Sequence, residues 1–303
     1  MKDEMIEKAN CIESFMGLPF KKDAKLNPGE GTVERGQHTS VHRWAGGISN
    51  PPKHTGEDLG NLYSAGRDPL FFALHANVDR LWTIWRDSRG NKQKDIDDKD
   101  YLNAEFLFYD ENKQLVRVRV GDCLEQNKMG YRFQTEGVYM PWNRPRISVL
   151  KRVEPRQKPM VATTSTAPKV DSVHFPLKLD EVAKFLVQRP KKSRTQEEKE
   201  IEEEILEILI EVDTQEFAKF DVFVDDEDEN VDKLNRDEYA GTFAQIPQSH
   251  GKDPSKVRTS TRLELTRQLE NLNVEDDDEI LVALVPRAGD VDIAGIKIIY
   301  SPS

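Results

Sequence analysis

Between residues 69 and 85 the apolar positions Phe71, Leu74, Val78, Leu81, Trp82 and Trp85 recur mostly at steps of three and four. That period places them on one stripe of an amphipathic helix. Asp68-Pro69 just ahead of the stripe reads as an N-cap followed by proline at the first helical position. Beyond about residue 176 the period shortens to two. Ala218, Phe220 and Val222 alternate with Lys219 and Asp221, which predicts a half-buried strand. Glu279–Val285 and Val291–Tyr300 are β-branched runs joined by PRAGD, and they read as a hairpin. The stretch TRLELTRQLENL fits a strand or a short helix equally well. No internal repeat is visible.

Polar segments divide these elements. DSRGNKQKDIDDKD precedes Tyr101–Trp142, where short apolar runs alternate with turns. Residues 143–166 are rich in Pro, Arg, Lys and Thr, as a linker would be. The run RPKKSRTQEEKEIEEE at 189–204 reads as a solvated or disordered tether.

Composition narrows the class. The 303 residues have room for two domains, and the 33% charged and 37% hydrophobic fractions fit long polar connections. No apolar run reaches the length of a membrane span. A formal charge of -11 argues against nucleic-acid binding, which needs a basic surface. Cys11 and Cys123 match no metal or redox spacing and admit either one disulfide or two free thiols. The first residues, MKDEMIEKANCIESFMG, have neither a secretory core nor the composition of a transit peptide, so no address is expected there.

The chemistry concentrates in residues 34–86. His38 and His42 stand four apart, so on a helix both imidazoles leave the same face. His75 lies inside the apolar stripe of the second helix and is expected to be buried. Alone it would be a hydrogen-bonded core residue. With His38 and His42 it completes three imidazoles, a donor set suited to copper or zinc, and the spacing does not choose between them. Asp79, one turn beyond His75, is a candidate to hold the other ring nitrogen of a ligating histidine. An ion pair with Arg80, Arg43 or Arg67 is the competing use of that carboxylate.

At these residues the chain resembles a known family. GNLYSAGRDPLFFALHANVDRLWTIW looks like the copper B helix of tyrosinases, catechol oxidases and haemocyanins, and GTVERGQHTSVHRWAGG looks like the segment before it. DYLNAEFLFYDENKQLVRVRVGDCL resembles the middle region of plant polyphenol oxidases, with Tyr101 where Trp is usual. MGYRFQ resembles a motif near the end of their catalytic domain, with Tyr131 kept and Phe133 in place of a second Tyr. EFAKFDVFV, EYAGTFAQIP and DDDEILVALVPRAGDVDIAGIKI resemble their C-terminal domain.

The resemblance implies an α+β chain: a partial α-helical type 3 copper bundle, its copper B half, followed by an antiparallel β-domain. The expected divisions are 1–97 for the copper B half, 98–148 for the middle region, 149–175 for a linker and 176–303 for the β-domain. It implies copper ligands His38, His42 and His75, with Leu74 where a second histidine is common. Leu62 matches the gate position, and Glu34 matches a carboxylate that holds an ordered water. Thr39, which follows the first ligand, takes the place of an asparagine common in monophenol hydroxylases and so favours diphenol oxidation.

The implied activity is oxidation of o-diphenols to o-quinones by O2 with two copper ions, in the plastid (thylakoid lumen). The chain's own C-terminal domain would shield the site. Copper A needs three further histidines; His54 sits in the proline-rich loop NPPKHTGED and reads as an exposed loop residue, and His174 and His250 lie far downstream in the β part. The chain is therefore expected to be a truncated form, inactive alone, with an exposed apolar face where two helices are missing. The alternatives are a mononuclear copper protein or a non-catalytic interaction protein of the same descent.

Overall fold

The computed structural model describes residues 6, 9–19, 21, 29–46, 58–88, 95–134, 166–226, 237–248 and 256–302. His54, His250 and most of the expected linker lie outside them. The chain divides into two compact units, one formed by residues 3–98 with 167–303 and the other by residues 99–166.

In the first unit the N-terminal part is helical: α1 (Ile12–Met16), α2 (Gln37–Ala45), α3 (Leu62–Ala65) and α4 (Pro69–Ser88). The expected start of α4 is present, with the Leu70 amide donating to the Asp68 carboxylate at 2.9 Å. The C-terminal end of its stripe is firmly buried. Leu81 and Trp85 are shut off from solvent, Trp85 stacks on Phe15 with ring centroids 4.7 Å apart, and its indole N–H donates to the Ala9 carbonyl at 2.8 Å. The expected unpartnered stripe is thus corrected at this end, because residues before α2 cover it. Exposure is confined to other positions, among them Trp44, Leu62, Leu70 and Phe72.

The second unit holds α5 (Lys99–Leu102), the antiparallel pair β1 (Glu105–Tyr109) and β2 (Leu115–Arg119), and α6 (Gln126–Met129). Phe106, Leu107, Phe108 and Tyr109 are all exposed. Cys11 and Cys123 are free thiols.

From residue 177 the first unit continues as a β-domain. Its elements are β3 (Leu177–Lys178), β4 (Ala183–Gln188), α7 (Gln196–Ile201), β5 (Glu202–Asp213), β6 (Ala218–Val224) and β7 (Tyr239–Gln245). They are followed by β8 (Lys256–Glu264), α8 (Thr266–Leu272), β9 (Glu279–Ala288) and β10 (Val291–Pro302). Two antiparallel sheets form, ordered β3-β10-β5-β8 and β4-β9-β6-β7. Their inner faces share one core that includes Leu206, Ile208 and Ile210 from β5, Phe220 and Val222 from β6, and Val282 and Leu284 from β9. TRLELTRQLENL proves to be both structures in turn, the end of β8 and then α8.

Three expectations are corrected. β9 and β10 are not a hairpin, since β9 pairs with β4 and β6 while β10 pairs with β3 and β5. The PRAGD stretch instead carries the chain from one sheet to the other. Gly289 turns there with φ +71, and a Cβ would meet the Phe217 carbonyl oxygen at 2.0 Å.

The second concerns β6, which is buried on both faces. Phe223 packs with Ala283 and Val285 on the outer side, and buried Asp221 is paired with Arg287 and accepts from Thr242. The third concerns the run at 189–204, which is ordered and is no tether. Thr195 and Glu198 form a capping box at the start of α7, and Arg189 and Glu204 make a buried bidentate ion pair at 2.8 and 2.9 Å.

Candidate metal centre

His38 and His42 project from one face of α2, and His75 comes from α4. His38 Nε2 lies 3.1 Å from His42 Nε2 and 3.3 Å from His75 Nε2, and all three donor atoms fall within 4.8 Å of one another. A proton on His38 Nε2 could bridge only one of these pairs at a time and would leave the third nitrogen unsatisfied. A cation removes the conflict. Metal–nitrogen bonds of about 2.0–2.1 Å at tetrahedral angles put neighbouring donors about 3.3 Å apart, close to the two spacings that His38 makes with His42 and His75.

The opposite ring nitrogens explain how two rings are aimed. His42 Nδ1 lies 2.8 Å from the Leu59 carbonyl oxygen, and His75 Nδ1 lies 2.9 Å from that of Phe71. A carbonyl can only accept, so both Nδ1 atoms carry the proton and both Nε2 lone pairs face the centre. The acceptor for His75 Nδ1 is a backbone carbonyl, where the sequence offers the Asp79 carboxylate as one candidate beside its use in an ion pair. Phe71 also stacks on the His75 ring, with centroids 3.8 Å apart.

Electrostatics favour the neutral donors a metal needs. Burial pushes the His38 pKa down to about 3, and His42 and His75 add to the effect. Burial also lowers His42, against the pull of its bond to Leu59. His42 is fully buried, whereas His75 is only half-buried, so the expected burial of His75 is met in part.

The remaining expected residues divide. Thr39 is buried, and its hydroxyl donates to the Glu34 carbonyl at 2.8 Å, so it is committed to the turn that starts α2. Glu34 is exposed as a residue, but its carboxyl is crowded enough that desolvation raises its pKa. Leu62 is exposed at the start of α3, and its amide donates to the Pro247 carbonyl at 3.0 Å. His174 lies in the β-domain segment before β3 and does not join the cluster. Sequence reasoning missed the Leu59 and Phe71 carbonyls, because a backbone acceptor leaves no residue-type signal.

Known proteins resemble the chain along most of its length. Residues 9–88 match the common central domain of tyrosinase, 95–148 the polyphenol oxidase middle domain, and 175–300 the chloroplastic polyphenol oxidase C-terminal domain. Polyphenol oxidase II, chloroplastic, of Ipomoea batatas is 48% identical over 99% of this chain and 50% of its own length. Catechol oxidase B, chloroplastic, of Solanum tuberosum is 40% identical over 95% of this chain and 48% of its own. The structure of latent apple tyrosinase superposes with a TM-score of 0.82 at 39% identity, covering 99% of this chain and 63% of that one. The chain spans about half the length of the curated relatives it matches.

Proposed function

The chain belongs to the plant polyphenol oxidase family, and on that premise we propose that it forms the copper B half of an o-diphenol oxidase acting in the plastid. Relatives named chloroplastic support plastid residence, and the thylakoid lumen is the compartment proposed. The observation that carries the reading is the convergence of His38, His42 and His75 Nε2 atoms on one point.

Copper, when bound, would supply the electron transfer by which two catechols and one O2 become two o-quinones and two waters. The chain's own residues do the rest. The Leu59 and Phe71 carbonyls hold His42 and His75 in the tautomer that ligates. Leu62 forms an open gate beside the site, and Glu34 orients a water towards substrate. Thr39, spent on the Glu34 carbonyl, has no amide to offer a monophenol, which favours diphenols. The β-domain shields the mouth. In support, the Pro247 carbonyl meets the Leu62 amide, and Phe217 lies 3.7 Å beneath the Arg43 guanidinium.

Catalysis by two copper ions needs three further imidazoles, and the other histidines of these 303 residues are separate in sequence. We therefore expect no turnover from this stretch alone. The test is copper content after reconstitution, measured beside 4-methylcatechol oxidation on the same sample. About one copper per chain without quinone supports the reading. Two coppers with turnover, or no copper retained, overturns it.

A further inference from the structure

We propose that residues 29–36 are a proton-dependent strap: with Glu30 protonated it closes over the β7 and β8 edges, and ionisation of Glu30 loosens it and the start of α2. β7 and β8 are the outer strands of different sheets, and each pairs along only one side within its own sheet. The strap crosses both. Gly29 sits so close to β8 that a Cβ would meet the Ser260 carbonyl oxygen at 2.1 Å. The Arg35 guanidinium donates to Thr261 Oγ1 at 3.2 Å and to the Arg262 carbonyl at 2.5 Å. Gly36 faces the Thr242 methyl on β7, and the next residue begins α2.

Glu30 is the weak point of this closure. One carboxyl oxygen accepts from the Ala244 amide of β7, while Oε2 is shut off from solvent with no hydrogen-bond partner among the described residues. A carboxylate buried this way would lack compensation. The charges acting on it are Glu34, which opposes ionisation, and Arg35, which favours it. The neighbouring groups of β7 and β8, Thr242, Ala244, Ser260 and Thr261, are uncharged, as is Gly17, which bridges to Glu30 from the other side. The Arg262 guanidinium is engaged by Glu207. Burial above all, then Glu34, raises the Glu30 pKa from 4.5 to about 8.

The sign follows from linkage. The closed strap holds a proton that an open one releases, so closure is complete below pH 4.5 and is lost as pH rises towards 8. None of this depends on copper or on the proposed activity.

The experiment is amide exchange on the full chain from pH 5 to 9, corrected for intrinsic rate, reading Ala244 on β7 and Ala283 in the centre of β9. Protection at Ala244 is expected to fall by up to about tenfold per pH unit to pH 8 and then level, with Ala283 unchanged. Glu30→Gln, which mimics the neutral carboxyl, should abolish the slope and keep protection high. Gly29→Ala, which forces the strap off Ser260, should leave Ala244 poorly protected at every pH. A flat wild-type profile, the same slope in Glu30→Gln, or a parallel fall at Ala283 would overturn the proposal.

Discussion

The β-domain and the histidine-bearing helices solve the problem of burial in opposite ways. The β-domain brings its own core. Two sheets close on one another, and the charged groups inside are paired, Arg189 with Glu204 and Asp221 with Arg287. The helices α2 and α4 meet each other at the three imidazoles and borrow the rest. Trp85 relies on Phe15 and Ala9, while Trp44, Leu70 and Phe72 stay in solvent. One region spends its sequence on self-sufficiency. The other spends it on aiming three nitrogens and leaves apolar side chains of the same helices in solvent.

The largest expected effect breaks the β-domain side. Arg189 binds Glu204 with two nitrogens and also donates to the Glu275 and Asp277 carbonyls, so it ties β4, β5 and the loop before β9 together. Arg189→Ala leaves Glu204 buried and uncompensated, which costs about 3–5 kcal/mol. The melting transition of the full chain should drop accordingly. Replacing both partners with apolar residues of similar volume should recover most of the loss. If Arg189→Ala melts within a degree of wild type, the β-domain is not held as described.

How far sequence foresaw this contrast depends on the range of the interaction. α4 was legible because its period, its Asp68 cap and Pro69 are local signals, and the same holds for His38 and His42 at helical spacing. The strands were legible as strands. Their partners were not, because nothing in PRAGD distinguishes a hairpin from a crossing between sheets. The run at 189–204 misled for a related reason: Arg189 and Glu204 look solvated until the fold brings them together. The same limit hid the carbonyls that aim His42 and His75.

A middle-sized effect sharpens the comparison through pH. In metal-free protein His38 is held down to about 3 by burial and by its two neighbours, and burial lowers His42 as well. The unfolded chain therefore binds more protons than the folded one below the ordinary histidine value, and stability is lost as pH falls from about 6.5. In the β-domain, desolvation works to raise Glu207, but its bonds to Lys297 and Arg262 win and hold it below 4.5. Its stability is present above 4.5 and is lost as pH falls further. Amide protection in the last turn of α2, away from the strap that joins its start, should thus begin to fall as pH drops below about 6.5, by up to about tenfold per unit for each histidine, while β5 holds until below 4.5. Simultaneous loss in both regions would erase the distinction between them.

The smallest effect concerns the surface that α4 leaves uncovered. Phe72 is 66% exposed and Leu70 54%, so neither contributes much burial to this chain. Substituting Phe72→Ser should shift stability by no more than about 0.5 kcal/mol, as at any surface site free of special roles. The same change removes an aromatic side chain from solvent and should reduce binding of a hydrophobic dye and self-association on concentration. Those two readouts separate the regions cleanly, because a residue that packs against a fixed partner within this chain would move stability first. A loss of several kcal/mol on Phe72→Ser would mean that α4 is covered on this side as well, and the contrast with the self-contained β-domain would fail.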